Sequence, residues 1–260
     1  MFRKHFSNAF KSLLGSEYIR ILVGYIRWFY YVKIFRKLKT TEESTENSID
    51  KTISHNLIVF DRFPLTDFAM KRMDNLLNAI GGIQSLDENS NFLIIGPRTE
   101  SDILNLKGKF YSNHISAIDL ITYSPWIEIQ DMHAIDYADN QFDCVICGWT
   151  ISYSTNPDLA LANMIRVVKN EGFIAIGVEH VSYNKYTKIK DIDSRELDHY
   201  TNNEALKNRL NTTTDFENLF KSSKVNYDIV FKFGEKETIL EEIPDAKYHD
   251  NVMIIAQIFK

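Results

Sequence analysis

The stretch that decides the fold runs from Phe142 to Glu179 and reads FDCVICGWTISYSTNPDLALANMIRVVKNEGFIAIGVE. It begins with a short apolar run, FDCVICGW at 142–149, and ends with another, GFIAIGVE at 172–179. Such continuous apolar runs are typical of strands buried on both faces of a parallel sheet. Between them, PDLALANMIRVVK at 157–169 carries apolar residues at helical spacing. The pattern predicts a strand–helix–strand unit in which the helix connects two parallel strands.

The same alternation continues on both sides of this unit. Upstream it predicts strands at 91–96, 114–120 and 126–131, with helices at 67–80 and 101–106. Downstream it predicts a helix near 213–220 and two strands at 225–233 and 251–259 that pair as a hairpin. Strands that alternate with helices indicate an α/β fold. We therefore expect a Rossmann-like, doubly wound, mostly parallel sheet with a C-terminal antiparallel hairpin, preceded by an N-terminal helical extension.

Composition supports one large folded domain with an appendage. The chain has 260 residues, of which 44% are hydrophobic and 25% charged, an ordinary globular balance. Its two cysteines, Cys144 and Cys147, exclude a disulfide scaffold. They lie three apart in a predicted strand and would face opposite sides, so we interpret them as core residues rather than metal ligands. We expect an extension at 1–45, a linker at 46–63 and the main domain at 64–260.

The extension differs from the rest of the chain in charge. Residues 1–40 contain nine basic side chains and one acid, whereas the whole chain has a net charge of −5. Within them, YIRILVGYIRWFYYVKIF at 18–35 is apolar and aromatic but is interrupted by basic residues. A membrane-spanning helix is not expected, because each central charge costs about 2.5–3.5 kcal/mol. Arg20 and Arg27 share a helical face, but the later basic residues do not. Three alternatives stay open: contact with a membrane surface, packing on the main domain or a second copy with the basic side chains outward, or binding of a single-stranded nucleic acid.

Polar residues follow the predicted strands at their carboxyl ends. In doubly wound sheets, ligands bind at this edge. The residues are Gly96-Pro97-Arg98 after the first strand, Asp119 at the end of the second, Asp131 after the third, Gly148-Trp149 after the fourth and Glu179-His180 after the fifth. We therefore predict a nucleotide-type site there.

The sequence between Asp131 and Gly177 resembles the middle of a class I S-adenosylmethionine-dependent methyltransferase. That family has an acidic DNxFD turn before its fourth strand, and DNQFD occupies 139–143 here. It also has an RVLKPGG-like turn before its fifth strand, and RVVKNEG occupies 166–172. The resemblance extends over about residues 64–260. It implies an enzyme that uses S-adenosylmethionine as its cofactor.

The resemblance also assigns roles to the residues at the strand ends. Asp119, with Leu120 beside it, would bind the ribose hydroxyls, for which a carboxylate is a suitable bidentate acceptor. Asp131 would accept a hydrogen bond from the adenine amino group, and the backbone of Met132 would contact the adenine ring. Gly148 and Trp149 would lie near the sulfonium, where an aromatic face attracts a cation.

The turn after the first strand departs from the family. The family has an acid followed by Gly-x-Gly-x-Gly, whereas this chain has Ile94 for the acid and keeps only Gly96 of the glycines; Arg98 and Glu100 replace the others. We expect Gly96 and Pro97 to hold the methionine part, Arg98 to pair with its carboxylate, and Glu100 or the helix start to contact its amino group. The alternative is a silent domain, with a role in binding or scaffolding, that has lost the cofactor. NAD is a weaker competitor, because its fingerprint requires the missing glycines.

Methyl transfer to oxygen needs a base unless the acceptor is already ionised or positioning alone suffices, and an imidazole suits this task at neutral pH. Candidates are His180, His133, Tyr153 and Tyr183, and His180 is preferred because it follows the fifth strand. The acidic main domain disfavours a nucleic-acid acceptor. We expect a small-molecule or glycan/lipid-linked acceptor and a cytoplasmic protein that can lie at the inner face of a membrane. A homo-oligomer formed through the extension remains an alternative.

Overall fold

A computed structural model describes residues 9, 12–41, 72–180, 210–237 and 251–260. The predicted linker at 46–63, the domain boundary at 64, the first turn of the helix predicted at 67–80 and Tyr183 lie outside these ranges. The division into extension, linker and main domain therefore stays a prediction.

The main domain contains a seven-stranded, mostly parallel sheet, as the sequence predicted. The strands are β2 (Phe92–Ile95), β3 (Ile115–Asp119), β5 (Glu128–Ile129), β6 (Phe142–Gly148), β7 (Val168–Glu179), β8 (Asn226–Phe233) and β9 (Asn251–Phe259), in the spatial order β5-β3-β2-β6-β7-β9-β8. Strand β9 runs antiparallel to both of its neighbours, β7 and β8. A separate two-stranded sheet pairs β1 (Lys39–Thr40) with β4 (Ile121–Thr122).

Helices cover both faces of the large sheet. They are α2 (Arg72–Ile80), α3 (Ser101–Phe110), α4 (Pro157–Val167) and α5 (Thr213–Ser222), and a 3-10 turn spans Ile151–Tyr153. Met73, Leu77 and Ile103 from α2 and α3 belong to the core on one face. Leu161 from α4 and Phe216 from α5 belong to the core on the other. The two cysteines confirm the predicted alternation, because Cys144 lies in the first core and Cys147 in the second, both buried.

Helix α4 ends earlier than the sequence predicted. Its C-cap, Val168, has extended backbone angles and starts β7 by pairing with Phe142. The backbone N–H groups of Asn140 and Gln141 donate to the carbonyls of Arg166 and Val167, at 3.0 and 2.8 Å. These bonds satisfy acceptors that the end of a helix leaves without partners, and β7 consequently begins before the predicted strand at 172.

The extension forms helix α1 (Glu17–Trp28), which continues as a π-helical segment at Phe29–Ile34. Its two arginines point towards the main domain, whereas the packing alternative drawn from the sequence had the basic side chains outward. Arg20 donates to the carbonyl of Leu14 at 2.9 Å and lies 3.8 Å from Asp74. Arg27 pairs with Glu100. No helix among the described residues is both long enough and apolar enough to cross a membrane.

Apolar side chains occupy the outward face of α1. The exposed residues follow a helical stripe, which we call the outer stripe: Tyr18, Leu22, Tyr25, Ile26, Phe29 and Tyr30. Tyr18 is 83% exposed and Ile26 is 56% exposed. The helix therefore turns its paired arginines towards the protein and its apolar side chains towards solvent. Such an exposed apolar patch is typical of an interaction surface.

Candidate cofactor site

The predicted site residues converge at the carboxyl edge of the parallel strands. Strands β2 and β6 are neighbours at the centre of the sheet, with β3 beyond β2 and β7 beyond β6. The register pairs Ile95 with both Ile118 and Cys147, so the segments that follow β2, β3 and β6 begin at the same level. This is the crevice at which doubly wound sheets bind their ligands.

The turn after β2 keeps a glycine-like backbone with a single glycine. Gly96 has φ +67°, and its N–H donates to the carbonyl of Ile118 at 2.8 Å. A Cβ at this position would lie 2.1 Å from Oγ1 of Thr150, so only glycine fits below that side chain. Pro97 follows, and Arg98 is also left-handed, with φ 55°. Arg98 therefore takes a conformation that normally favours glycine, at a position where the resembling family has one.

Asp119 lies beside this turn. Its side chain is buried, and Oδ2 accepts a hydrogen bond from the N–H of Arg98 at 2.9 Å. Oδ1 accepts from the N–H of Ile121 at 3.3 Å, and the N–H of Leu120 also contributes. Burial raises the pKa of Asp119 to about 6, although these N–H groups and the charge of Arg98 oppose the rise. Asp119 thus ties the end of β3 to the turn after β2.

Glu100 is engaged within the protein. Its side chain is 0% exposed, and its two carboxylate oxygens accept hydrogen bonds from Nε and Nη2 of Arg27, the latter at 2.9 Å. Ser124 donates its hydroxyl to Oε1 at 2.5 Å. Both oxygens are committed in this conformation, so we revise the expectation that Glu100 contacts the amino group of the cofactor. The start of helix α3 remains the other option from the sequence.

Asp131 and His133 form a connected pair after β5. Oδ1 of Asp131 lies 2.6 Å from Nδ1 of His133 and accepts from the His133 N–H at 2.9 Å. The hydrogen bonds with His133 lower the pKa of Asp131, although burial opposes this, and keep it ionised. Nε2 of His133 lies 2.6 Å from the hydroxyl of Ser154. Asp131 is half-buried, and so is Met132 beside it, so both remain accessible to an adenine.

The segment after β6 is tightly packed. Trp149 is left-handed, with φ 60°, and its N–H donates to the carbonyl of Gly177 at 2.6 Å. A Cβ on Gly177 would lie 2.8 Å from the Trp149 ring, and one on Gly148 would lie 2.2 Å from the sulfur of Met73. The indole is therefore largely built into the core, on the face that also holds α2.

His180 lies at the end of β7, where the sequence placed it, but it is only 2% exposed. Its Nδ1 is 3.0 Å from the carbonyl oxygen of Asn211, so Nδ1 carries a proton and donates it to that oxygen. Nε2 has no hydrogen-bond partner among the described residues. The catalytic role of His180 stays a prediction.

Sequence reasoning missed the residues that support the altered turn from a distance. Arg27 lies 73 positions before Glu100, and its guanidinium stacks 3.5 Å from the ring centroid of Trp126. Thr150 covers Gly96 and donates to its carbonyl at 3.1 Å. The one available signal was the pair of arginines on one face of an otherwise apolar helix, because buried charges need partners.

Comparisons with known proteins agree with this geometry. A family model described as a methyltransferase domain matches residues 112–176, which include Asp119 and Asp131 and exclude the turn at Gly96–Glu100. No curated protein matches the chain.

Solved structures share the fold at low sequence identity. One is a chain from the complex of the Haloferax volcanii Trm112 methyltransferase activator with a candidate methyltransferase (TM-score 0.54, 10% identity, covering 84% of this chain and 98% of that chain). Another is a candidate S-adenosylmethionine-dependent methyltransferase from Methanococcus maripaludis (TM-score 0.50, 16% identity, 85% and 98%). A third, of the same description, is from Listeria monocytogenes (TM-score 0.50, 13% identity, 73% and 97%).

The strand order, the acids that end β3 and follow β5, and the family match confirm the resemblance drawn from the sequence. The methyltransferase-domain model matches about a quarter of the chain, and the solved structures share its fold.

Proposed function

We propose that this protein transfers a methyl group from S-adenosylmethionine to a hydroxyl oxygen of a small-molecule or glycan/lipid-linked acceptor. The observation that carries the proposal is the buried carboxylate of Asp119, hydrogen-bonded to a turn whose Gly96 and Arg98 have left-handed backbones. A ribose needs a fixed acceptor for its hydroxyls, and a methionine chain needs close approach to backbone. The residues present fit both requirements.

Each strand end then has a task in binding. Asp119, with Leu120, would hold the ribose, and Asp131, with Met132, would hold the adenine. Gly96, Pro97 and Arg98 would hold the methionine part, with the guanidinium of Arg98 against its carboxylate. Gly148 and Trp149 would border the sulfonium through the segment that follows β6, since the indole itself lies largely in the core. The bound cofactor supplies an electrophilic methyl group, and the protein contributes mainly by positioning the acceptor in line with it.

An oxygen acceptor must also lose a proton. His180 is the proposed base, because it follows β7 at the same edge and its Nε2 has no partner among the described residues. His133 is the second imidazole at this edge, and Asp131 orients it through Nδ1. A variant with His180→Gln should therefore retain cofactor binding and lose methyl transfer, whereas loss of binding would assign His180 to the cofactor site or the core.

The outer stripe supports an acceptor held at an anionic membrane surface. Lys33, Arg36, Lys37 and Lys39 follow the stripe along the chain and are exposed. Aromatic and aliphatic groups beside lysine and arginine suit the headgroup layer, and each basic residue near an anionic surface contributes about 1 kcal/mol. The charge of the extension thus complements phosphate headgroups, and the paired arginines leave the apolar face turned outward.

Sedimentation with phosphatidylglycerol vesicles tests this docking. The double variant Ile26→Ser/Phe29→Ser removes apolar groups from the outer stripe, and Leu159→Ser/Val230→Ser removes two exposed apolar groups elsewhere as a matched control. We expect the first to lose vesicle binding and the second to keep it. Equal sedimentation of both would refute docking, and conversion of a dimer to a monomer by the first variant would assign the stripe to a homo-oligomer contact.

A second candidate function is a silent domain that binds or scaffolds a partner. The observation that favours it is the engagement of Glu100 by Arg27 and Ser124, which removes one expected cofactor contact. Cofactor binding separates the two candidates directly.

Isothermal titration with S-adenosylhomocysteine and S-adenosylmethionine is the decisive experiment, with NADH as a comparison ligand. We expect both adenosyl ligands to bind, Asp119→Ala to abolish binding, and Asp136→Ala, an exposed acid of the same region, to leave it unchanged. Saturation at about 100 times the dissociation constant should also add roughly 2.7 kcal/mol to stability. Absence of binding at millimolar ligand would favour the scaffolding function.

A further inference from the structure

The pair between Arg27 and Glu100 joins the extension to the turn that precedes α3. Glu100 is the N-cap residue of α3, and its N–H donates to the hydroxyl of Tyr123 at 3.3 Å. Its carboxylate is fully buried, whereas the Arg27 side chain is 24% exposed at the edge of the same junction. The fork of an arginine matches both oxygens of a carboxylate, which fixes orientation as well as distance.

The surroundings of Arg27 hold its guanidinium in one place. The ring of Trp126 lies 3.5 Å below it, and the ring of Tyr31 lies 5.3 Å away. Burial alone lowers the pKa of Arg27, but the hydrogen bonds and charge of Glu100 raise it overall. The two-point contact between the guanidinium and the carboxylate is therefore directional, and removing either partner would leave a charge in a poorly solvated place.

The turn at Gly96–Glu100 is thus held at two points. At Arg98 its N–H donates to Asp119, the acid proposed for the ribose. At Glu100 it is held by Arg27 from the extension. These two points are the positions at which the family has its last two glycines and this chain has none, so the conformation of the turn depends on contacts made from outside it.

We propose that Arg27 is a positioning residue for the cofactor site. Its bidentate pair with Glu100 keeps the turn at Gly96–Glu100 in the conformation that receives the methionine part, so helix α1 is a working part of the site. This inference rests on the proposed function as far as the cofactor is concerned. It gives Glu100 a structural task in place of contact with the ligand.

The test compares Arg27→Gln with Arg20→Gln in the full chain. Arg20 lies on the same face of α1 and also pairs with the main domain, through Asp74, but does not touch the turn. We expect Arg27→Gln to speed hydrogen exchange at amides 98–101 in the ligand-free protein. If the competent conformation falls to about a tenth of the population, affinity for S-adenosylhomocysteine falls about tenfold. Arg20→Gln should leave both measurements as in wild type.

A double variant separates positioning from stability. Arg27→Met/Glu100→Gln leaves no buried unpaired charge, and replacing such a pair by neutral groups is often harmless to folding. We expect its melting temperature to return towards that of wild type while the affinity and the fast exchange at 98–101 do not recover. A role confined to stability would instead restore all three together, which would overturn the inference.

Failure of this inference is distinguishable from failure of the proposed function. If wild type binds no adenosyl ligand, the proposed function is wrong and the cofactor role of Arg27 with it. If wild type binds and Arg27→Gln binds equally well with unchanged exchange, only the role of Arg27 is wrong.

Discussion

Two turns of this molecule stand where the resembling family has glycine, and each holds a charged residue in a left-handed conformation. Arg98 follows β2 with φ 55°, and Glu171 lies within β7, just before its central part, with φ 62°. For a residue other than glycine, such a left-handed conformation costs about 1 kcal/mol or more. Each turn has the left-handed backbone that suits glycine, but without the glycine. Other contacts must therefore stabilise that backbone.

The turn at Glu171 is held by the last strand of the sheet. The side-chain amide of Gln257 donates to the carbonyl of Glu171 at 3.0 Å, and the N–H of Lys260 donates to Oδ1 of Asn170 at 2.7 Å. Both donors belong to β9 or follow it directly. This turn lies away from the carboxyl edge, and its supports have no group in the candidate cofactor site.

The groups that stabilise the turn at Arg98 each have a second role in the molecule. Asp119 supports it while serving as the proposed ribose acceptor, and Arg27 supports it from a helix whose other face carries the outer stripe. The same backbone departure is therefore purely structural in one turn and, under the proposed function, coupled to ligand binding in the other. Substitutions in the first should change stability alone, and substitutions in the second should change stability and affinity together.

The largest expected loss of stability and of ligand binding comes from Gly96→Ala. The new Cβ would lie 2.1 Å from Oγ1 and 2.5 Å from Cγ2 of Thr150, at φ +67°. Overpacking and the left-handed backbone together should cost about 2–5 kcal/mol of unfolding free energy. Binding of S-adenosylhomocysteine should be lost as well. Urea unfolding and isothermal titration measure the two effects.

Gly172→Ala is the matched control in the other turn. Its Cβ would meet Cγ2 of Val168 at 2.8 Å and the carbonyl of Asp143 at 3.0 Å, without a positive φ. We expect a smaller loss of stability and unchanged affinity. If Gly96→Ala bound the ligand as wild type does, the turn at Gly96 would not belong to the cofactor site.

How far the sequence predicts each turn follows from where its supports lie. The strand–helix–strand unit and the RVVKNEG turn were predicted, because local periodicity and a short motif determine them. Asp119 and Asp131 were placed correctly at the strand ends, because carboxyl ends of parallel strands share one edge. The partner of Glu100 was not predicted, because Arg27 lies 73 positions away and only the packing of α1 brings the two together. The early end of α4 was also missed, since it depends on pairing with Phe142.

The next effect concerns pH and Asp119. Because its pKa in the folded protein is raised to about 6, the folded state binds more protons than the unfolded state between about pH 4 and 6. The contribution of the Asp119 carboxyl to the free energy of unfolding is complete below about pH 4. It is lost as pH rises through 6, by about 3 kcal/mol in total. Ligand binding should change in the opposite sense, strengthening from pH 5 to 7, because the ionised carboxylate accepts the ribose hydroxyls.

Comparison of wild type with Asp119→Asn isolates this carboxyl from the other titrating groups. In urea unfolding, the free energy of unfolding of wild type should fall relative to that of Asp119→Asn as pH rises from 4 to 7. The affinity of wild type for S-adenosylhomocysteine should fall about tenfold for each pH unit below 6. A flat pH profile for both quantities would show that Asp119 titrates normally and is not desolvated as described.

The smallest effect comes from restoring the glycines. Glu171→Gly relieves the left-handed backbone and should raise stability by up to about 1 kcal/mol, since the greater freedom of glycine when unfolded offsets part of the gain.

Arg98→Gly should give a similar backbone gain. It also removes a charge that lowers the pKa of Asp119, so the pH midpoint of ligand binding should move upward and affinity at pH 7 should fall. Melting temperature and titration over pH measure both variants. Equal behaviour of the two in ligand binding would mean that Arg98, like Glu171, serves only the backbone, and the distinction between the two turns would be lost.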